Sequence, residues 1–413
     1  MDRQVSKVSP PCVAGYPYKC DVFAKIGVKS WINAENWSTS IGGSCLEPRV
    51  TEAMREAAQS FIDMNELMEK ASTRVAELCK VEAAYITTGA AAGIVLSIAA
   101  CITGTDTVRM AQLYGGLESR EALPNEVIMQ APHSSMYDCQ YYIGGGKLVR
   151  VGYPYAVERQ MVEDAISEKT ICISYVHSYH SSPKELAFSE VVGIAREHDI
   201  PVVVDMAAII PPKRNLHRFI DEGADLVVIS GGKGIRGPQN TGLILGGSRH
   251  GRHLIEAIRM QSFPRYGIGR AFKVSKETIA GFLTALEIFV EQDEDETYAR
   301  QLGVAHRIAV ALEGIASLRV RIIPNDGQDF EHPVSPHVPR VCIEWDSFTV
   351  GFDAAGLDDI MACGTSPIRL RKPALTQANT TSSRNMRLVD PYNLREGEDE
   401  IVADRLVRAF AGA

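Results

Sequence analysis

No Cys-x-x-Cys pair occurs in this sequence; its nine cysteines are scattered along 413 residues without regular spacing. An odd, dispersed set argues against a disulfide framework and reads as the reduced thiols of a cytoplasmic protein. Basic excess is lacking too: the formal net charge is -8, whereas a nucleic-acid-binding surface is normally basic. Residues 1–18 hold no apolar stretch followed by a small-residue cleavage site, so no signal peptide is expected. There is no internal repeat and no extended low-complexity segment. One nearly charge-free run, residues 83–104, is long enough to suggest a membrane span. It breaks at Thr87-Thr88-Gly89, so a strand, a small-residue turn and a buried helix are expected instead. Neither nucleic acid nor membrane is an expected partner.

What remains is an ordinary globular balance, 45% hydrophobic and 23% charged. Single cores seldom grow past about 250–300 residues, so two domains are expected. Between residues 49 and 262, short apolar runs such as Thr170-Ile171-Cys172-Ile173-Ser174-Tyr175, Pro201-Val202-Val203-Val204-Asp205 and Leu226-Val227-Val228-Ile229 alternate with helical patterns. That alternation predicts an α/β fold with a mostly parallel sheet covered on both faces. A long amphipathic helix from Lys276 to Glu291 follows, then a smaller α/β region with strands expected near 319–323, 340–345, 366–371 and 386–389. The expected limits are an N-terminal arm at 1–48, a large domain at 49–270, and a linking helix with a small domain at 271–413. Residues 374–385 are polar and read as a loop.

Three segments fall where strands of the large domain should end, the place where ligands collect in open parallel sheets. Asp205 closes one strand and could hold a ligand nitrogen protonated; a helix N-cap is the bland alternative. Ser230-Gly231-Gly232-Lys233-Gly234 follows another strand. A lysine set among glycines there is poorly explained as a solvated charge, and burial would favour the neutral, nucleophilic amine. The segment matches neither a Walker loop nor a GxGxxG pattern. Thr87-Thr88-Gly89-Ala90 precedes a helix, whose free N–H groups suit an anion; tight helix–sheet packing would use the same residues. His177 and His180 invite a metal reading, but no cysteine or carboxylate set completes a site, so no metal is expected.

In this chain order, the anion turn, the strand-end carboxylate and the glycine-flanked lysine resemble the fold type I pyridoxal 5′-phosphate (PLP) enzymes of the aspartate aminotransferase superfamily. The nearer resemblance is to the branch of selenocysteine synthase (L-seryl-tRNA selenium transferase) and the D-glucosaminate-6-phosphate ammonia-lyase-like proteins. Val203-Val204-Asp205-Met206-Ala207-Ala208, Gly223-Ala224-Asp225-Leu226, Ser230-Gly231-Gly232-Lys233 and Ile268-Gly269-Arg270 carry it. The resemblance implies a three-layer large domain with a mostly parallel sheet, plus a smaller α/β C-terminal domain. It implies PLP as cofactor, held as a Schiff base by Lys233, with Asp205 on the pyridinium nitrogen. Thr88, Gly89 and Ala90 would hold the phosphate, with Ser230 a weaker contact. His177 could meet the ring or its 3′-oxygen, and His133 could stack on it; a structural role stays open for both. Arg371, with Arg369 in reserve, would take a substrate carboxylate; both could instead be solvated edge-strand charges.

The activity so implied is that of a lyase working through a Cα carbanion on an amino acid or amino sugar acid, with β-elimination of ammonia or water. Aminotransferase, racemase and aldolase chemistry share the scaffold, and a non-catalytic binding protein is the alternative of another class. A tRNA substrate is not expected from the acidic charge and the lack of a basic N-terminal domain. A homodimer or higher homo-oligomer is expected.

Overall fold

The structure is a computed structural model that describes residues 21–177, 185–247, 249–323, 338–373 and 385–411. In chain order its strands are β1 (Ile32–Ala34), β2 (Ala83–Thr87), β3 (Glu126–Gln130), β4 (Lys147–Val151), β5 (Thr170–Val176) and β6 (Val202–Asp205). Then come β7 (Leu226–Ser230), β8 (Gly242–Gly246), β9 (Leu318–Ile323), β10 (Arg340–Trp345), β11 (Ile368–Leu370) and β12 (Met386–Val389).

By its contacts the chain divides into two compact units. The larger holds Gly43–Glu294, and its sheet has the order β2-β8-β7-β6-β5-β3-β4. Strands β7, β6, β5, β3 and β4 pair in parallel, while β8 runs antiparallel to both β7 and β2. The reversal has a local cause. Residues 231–241 turn the chain straight back from β7 into β8, with no crossover helix between them. β7 and β8 are buried along their whole length, which their unbroken apolar runs require of strands sheathed on both faces. The charge-free run resolves as expected into β2 and the buried helix Ala90–Thr103. Among the described residues no helix is long and apolar enough to cross a membrane.

The smaller unit joins the described residues up to Gly42 with those from Asp295 onward. It contains an antiparallel sheet in the order β12-β10-β9 and a parallel pair, β1 with β11. Its core gathers Ile32, Ala34, Ile343, Leu357, Ile368, Leu370 and Leu406. This division differs from the sequence limits at both ends. The helix Lys276–Glu291 buries Ile279, Phe282, Leu286 and Phe289 in the core of the larger unit, because its apolar positions complete that core. The N-terminal segment supplies a strand, β1, to the smaller unit. Of the polar loop expected at 374–385, residues 374–384 lie outside the described residues.

Candidate active site

Because β2 and β7 are both antiparallel to β8, the C-terminal ends of β2, β7, β6, β5 and β3 share one edge of the sheet. Every site residue expected from the larger unit lies at that edge.

Asp205 ends β6, and its Oδ1 accepts a hydrogen bond from the Ala207 N–H at 3.0 Å. The bond closes a local turn, with no helix beginning there, so the N-cap alternative is ruled out. Burial pushes the Asp205 carboxyl above the ordinary carboxylate range, against the opposing pull of the Ala207 N–H and of Lys233.

Lys233 sits on the connection between β7 and β8. Backbone bonds from Gly231 to Thr241 (2.9 Å), from Gly237 to Gly231 (2.9 Å) and from Arg236 to Lys233 (3.0 Å) pin this loop. Ser44 Oγ donates to the Lys233 carbonyl at 2.9 Å. The side chain is half-buried, and its amine makes no hydrogen bond or ion pair with any described residue. Burial holds it below the ordinary lysine range, while Asp205 pulls it back up. The two groups therefore share one electrostatic environment without touching.

The glycines around Lys233 serve close backbone packing. A β-carbon on Gly234 would fall on the Ile210 carbonyl oxygen, one on Gly232 on the Gln239 backbone, and one on Gly231 on Thr241 and Phe282. They admit other parts of the protein rather than a ligand. Gly89 is the contrasting case: its φ is +133° and nothing lies within 4 Å of where a β-carbon would stand. That opening faces the first turn of helix Ala90–Thr103, where three N–H groups lack helical acceptors. Thr88 is half-buried and Ala90 buried. Ser230, the last residue of β7, is 9% exposed.

The histidines are packed tightly. His133 Nδ1 accepts from the Val176 N–H at 3.2 Å, and its Nε2 lies 3.2 Å from Glu185 Oε2. Only Nδ1 is hydrogen-bonded; Nε2 is buried beside Glu185 without hydrogen-bond geometry. His177 directly follows β5, and its ring packs edge-on against Phe219 at 4.6 Å. Of the two histidines weighed for a metal, His180 lies outside the described residues.

Three contributors were not found from sequence. Gly242 pairs with Thr87 on one side and Ser230 on the other, and a β-carbon there would meet the Gly89 carbonyl carbon at 2.5 Å. Ser44 comes from a segment remote in sequence. The buried Tyr141 hydroxyl lies 2.7 Å from Ser174 Oγ, and burial together with the nearby Asp205 charge pushes it well above the usual tyrosine range. Only Gly242 left a trace in the sequence, as a glycine opening an apolar strand.

In the smaller unit, Arg369 lies in β11 with its guanidinium 4.9 Å from the Trp31 ring centroid. Arg371 pairs its backbone with Leu388, and its Nη1 lies 3.9 Å from Asp390 Oδ2. Asp390 also accepts from Arg340 Nε at 2.6 Å, and Arg340 and Asp390 are both fully buried. The alternative of solvated edge-strand charges does not hold for either arginine: the Arg371 side chain is 12% exposed and Arg369 Nε is buried.

A partnerless amine, a carboxylate held off from it and an open helix N-terminus at one sheet edge fit a cofactor with an aldehyde, a basic ring nitrogen and a phosphate. Strand order and site place the chain in the class of fold type I PLP-dependent enzymes. Solved structures of that class share its fold, including a serine palmitoyltransferase determined with PLP (TM-score 0.58, 14% identical, covering 93% of this chain and 88% of that one). A structure of D-glucosaminate-6-phosphate ammonia-lyase is nearer, with a TM-score of 0.78 and 28% identity, covering 96% of this chain and all of that one. The family model of L-seryl-tRNA selenium transferase matches residues 142–322. A 5′-C-glycyluridine monooxygenase-decarboxylase from a Streptomyces species is 32% identical over 393 residues, 93% of this chain and 90% of its own length. The D-glucosaminate-6-phosphate ammonia lyase of Salmonella typhimurium is 30% identical over 392 residues, 94% of this chain and 97% of its own. The chain belongs to the D-glucosaminate-6-phosphate ammonia-lyase-like branch of the fold type I PLP-dependent enzymes, together with selenocysteine synthase.

Proposed function

We propose that this chain is a PLP-dependent lyase acting on an amino acid or amino sugar acid, with Lys233 binding the cofactor covalently and moving the proton at the substrate Cα. The observation that carries the reading is the partnerless, half-buried Lys233 amine beside Asp205. When bound, PLP supplies an electron sink for the pair left at Cα. Burial keeps the Lys233 amine neutral over more of the pH range, so it can attack a carbonyl and later accept a proton. Asp205 holds a proton on the ring nitrogen. Thr88, Gly89 and Ala90 bind the phosphate through the helix N-terminus, with Ser230 beside them. His177 and His133 line the ring. Arg371, with Arg369 in support, binds the substrate carboxylate as a bidentate donor. Gly43–Glu294 is on this reading the cofactor domain and the smaller unit the substrate-capturing domain, in a protein working as a homodimer or larger homo-oligomer.

A second reading is favoured by one observation. The Streptomyces relative is as similar as the ammonia lyase, and its name describes oxygen-dependent decarboxylation rather than elimination. The residues above, which would hold the cofactor and the substrate carboxylate, would serve either reaction. Purified protein with added PLP decides the matter. Release of ammonia and an α-keto acid without oxygen or an amino acceptor supports the lyase. Consumption of oxygen with release of carbon dioxide supports the second reading, and strict dependence on an amino acceptor overturns both.

A further inference from the structure

The neighbours of His133 constrain where its proton sits. β3 ends at Gln130, and His133 closes the short turn Ala131–His133 that follows, with 1% of its side chain exposed. Its Nδ1 accepts from the Val176 N–H at 3.2 Å. A backbone N–H can only donate, so Nδ1 keeps a lone pair there and the proton of a neutral ring is on Nε2. A second proton would set two donors against each other and cost the Val176 bond.

The Nε2 atom is buried and makes no hydrogen bond, yet Glu185 Oε2 lies 3.2 Å from it. Buried polar atoms nearly always have a partner. Here a carboxylate stands beside the orphan, and an N–H dipole and an anion attract strongly where water is excluded. A carboxylate alone would also draw a second proton onto the imidazole. The Val176 N–H opposes that, so the two contacts together select one form, neutral and protonated on Nε2.

Glu185 is itself held from two sides. The Tyr175 hydroxyl donates to its Oε1 at 3.2 Å. Tyr175 is buried, and burial followed by the Glu185 charge pushes its phenol above the usual tyrosine range, so it remains a donor. The adjoining residue is clamped to the end of β3. The Leu186 N–H donates to Gln130 Oε1 at 2.7 Å, and Gln130 Nε2 donates to the Leu186 carbonyl at 3.3 Å. One strand end thus fixes both the ring and the carboxylate. The Tyr175 ring meets His133 edge-on at 4.8 Å, and the His177 ring lies 6.3 Å beyond Tyr175. Arg218 and Glu222 also act on Tyr175, but they pair with each other at 2.7 Å, so their charges largely cancel.

We propose that Glu185 is a positioning residue for His133, holding it as the neutral Nε2–H tautomer with its face fixed. The inference rests on the reading that His133 lines the cofactor ring. On that reading Asp205 holds a proton on the ring nitrogen, and a cationic imidazole alongside would repel the resulting charge; a neutral one does not. Glu185 acts through His133.

The test uses the full-length protein labelled with ¹⁵N-histidine, first without cofactor, with His133→Phe identifying the resonance. Wild-type His133 should show the Nε2–H tautomer and no titration from about pH 6 to 8, where a free imidazole gains its charge. Glu185→Leu should mix the two tautomers, because the Nε2 proton then faces an apolar side chain and the ring turns to find another acceptor. Glu185→Gln keeps an acceptor oxygen and should preserve the single form. A wild-type ring that carries its proton on Nδ1, or that titrates in this range, overturns the inference. So does a Glu185→Leu spectrum like the wild type, or a Glu185→Gln spectrum like that of Glu185→Leu. Equilibrium dialysis with PLP separates the parent reading. Glu185→Leu and His133→Ala should each weaken PLP about tenfold, the scale of one aromatic contact. Unchanged affinity in His133→Ala removes His133 from the cofactor and leaves the tautomer result standing. Weakening in His133→Ala alone means that the ring is placed without Glu185, and the inference falls.

Discussion

The strand-end edge of the large sheet and the antiparallel sheet of the smaller unit hold polar groups in opposite ways. At the sheet edge the backbone does the positioning: glycines pressed against Ile210, Gln239 and Gly89 set the loops, and Lys233 and Asp205 are left short of partners. In the smaller unit side-chain charge does it, with Arg340 on Asp390 and Arg387 bidentate on Asp358 at 2.8 Å. The contrast separates two strategies. A group meant to react is kept available by burial without neutralisation, whereas groups meant to hold a shape are neutralised pair by pair. Substitutions should therefore act on chemistry at the first place and on stability at the second.

The largest expected effect is at Lys233. Lys233→Ala should remove the visible absorbance of the PLP-loaded protein and lower turnover by about 10³-fold or more. The thermal midpoint of the cofactor-free protein should hold or rise, because a poorly solvated amine is gone. A Lys233→Ala protein that still turns yellow would move the assignment to another amine. Asp390→Ala should do the reverse, costing about 3–5 kcal/mol in urea unfolding by stranding the buried Arg340. If that cost is near zero, the smaller unit does not rely on pairing.

Gly234→Ala should destabilise by about 3 kcal/mol, since neither the Ile210 carbonyl nor the loop can give way cheaply. Gly89→Ala meets no neighbour, so its cost is only the strained φ, about 1–3 kcal/mol, and its larger effect should be on PLP affinity measured by equilibrium dialysis. Equal effects of the two on PLP affinity would erase the distinction between packing glycines and the open one. Arg371→Ala should weaken binding of carboxylate substrates about tenfold through the lost charged contact and leave PLP affinity unchanged.

The smallest effect is a shift in pH dependence. The amine must be neutral to attack the PLP aldehyde, so the rate of colour formation should rise with pH and level off below the ordinary lysine value. Burial, the larger influence, lowers the Lys233 pKa and the Asp205 charge raises it. Asp205→Asn should therefore move the levelling point to lower pH. A move upward in stopped-flow absorbance would mean that Asp205 does not act on this amine.

Much of the large unit was legible because its strands are short unbroken apolar runs and its helices begin at recognisable turns. Helix Lys276–Glu291 matches its sequence pattern residue for residue. The strand-end position of Asp205 and Lys233 could be read for the same reason. Helix Lys276–Glu291 read from sequence as a link between domains; that it packs into the core of the larger unit was not legible, because an amphipathic pattern states that a face will be buried and not against which core. Ser44 and the Tyr141–Ser174 pair stayed invisible, since each acts through a contact with a segment far away in the chain. For an allied reason the sequence left solvated edge charges open as an alternative for Arg369 and Arg371: nothing near them in sequence announces Trp31, Asp390 or Arg340.

Local order in the chain determined by itself that Lys233 would follow a buried strand among glycines, with Asp205 upstream and a small-residue turn before a buried helix. Those features depend on backbone freedom and on the period of apolar residues, which neighbouring residues settle among themselves. Only the tertiary structure decided that the glycines face protein rather than ligand, that the Lys233 amine lacks a partner, and that Arg369 lies against Trp31. These depend on which strands lie side by side, and hydrogen-bonded ladders and burial join residues without regard to their distance along the chain.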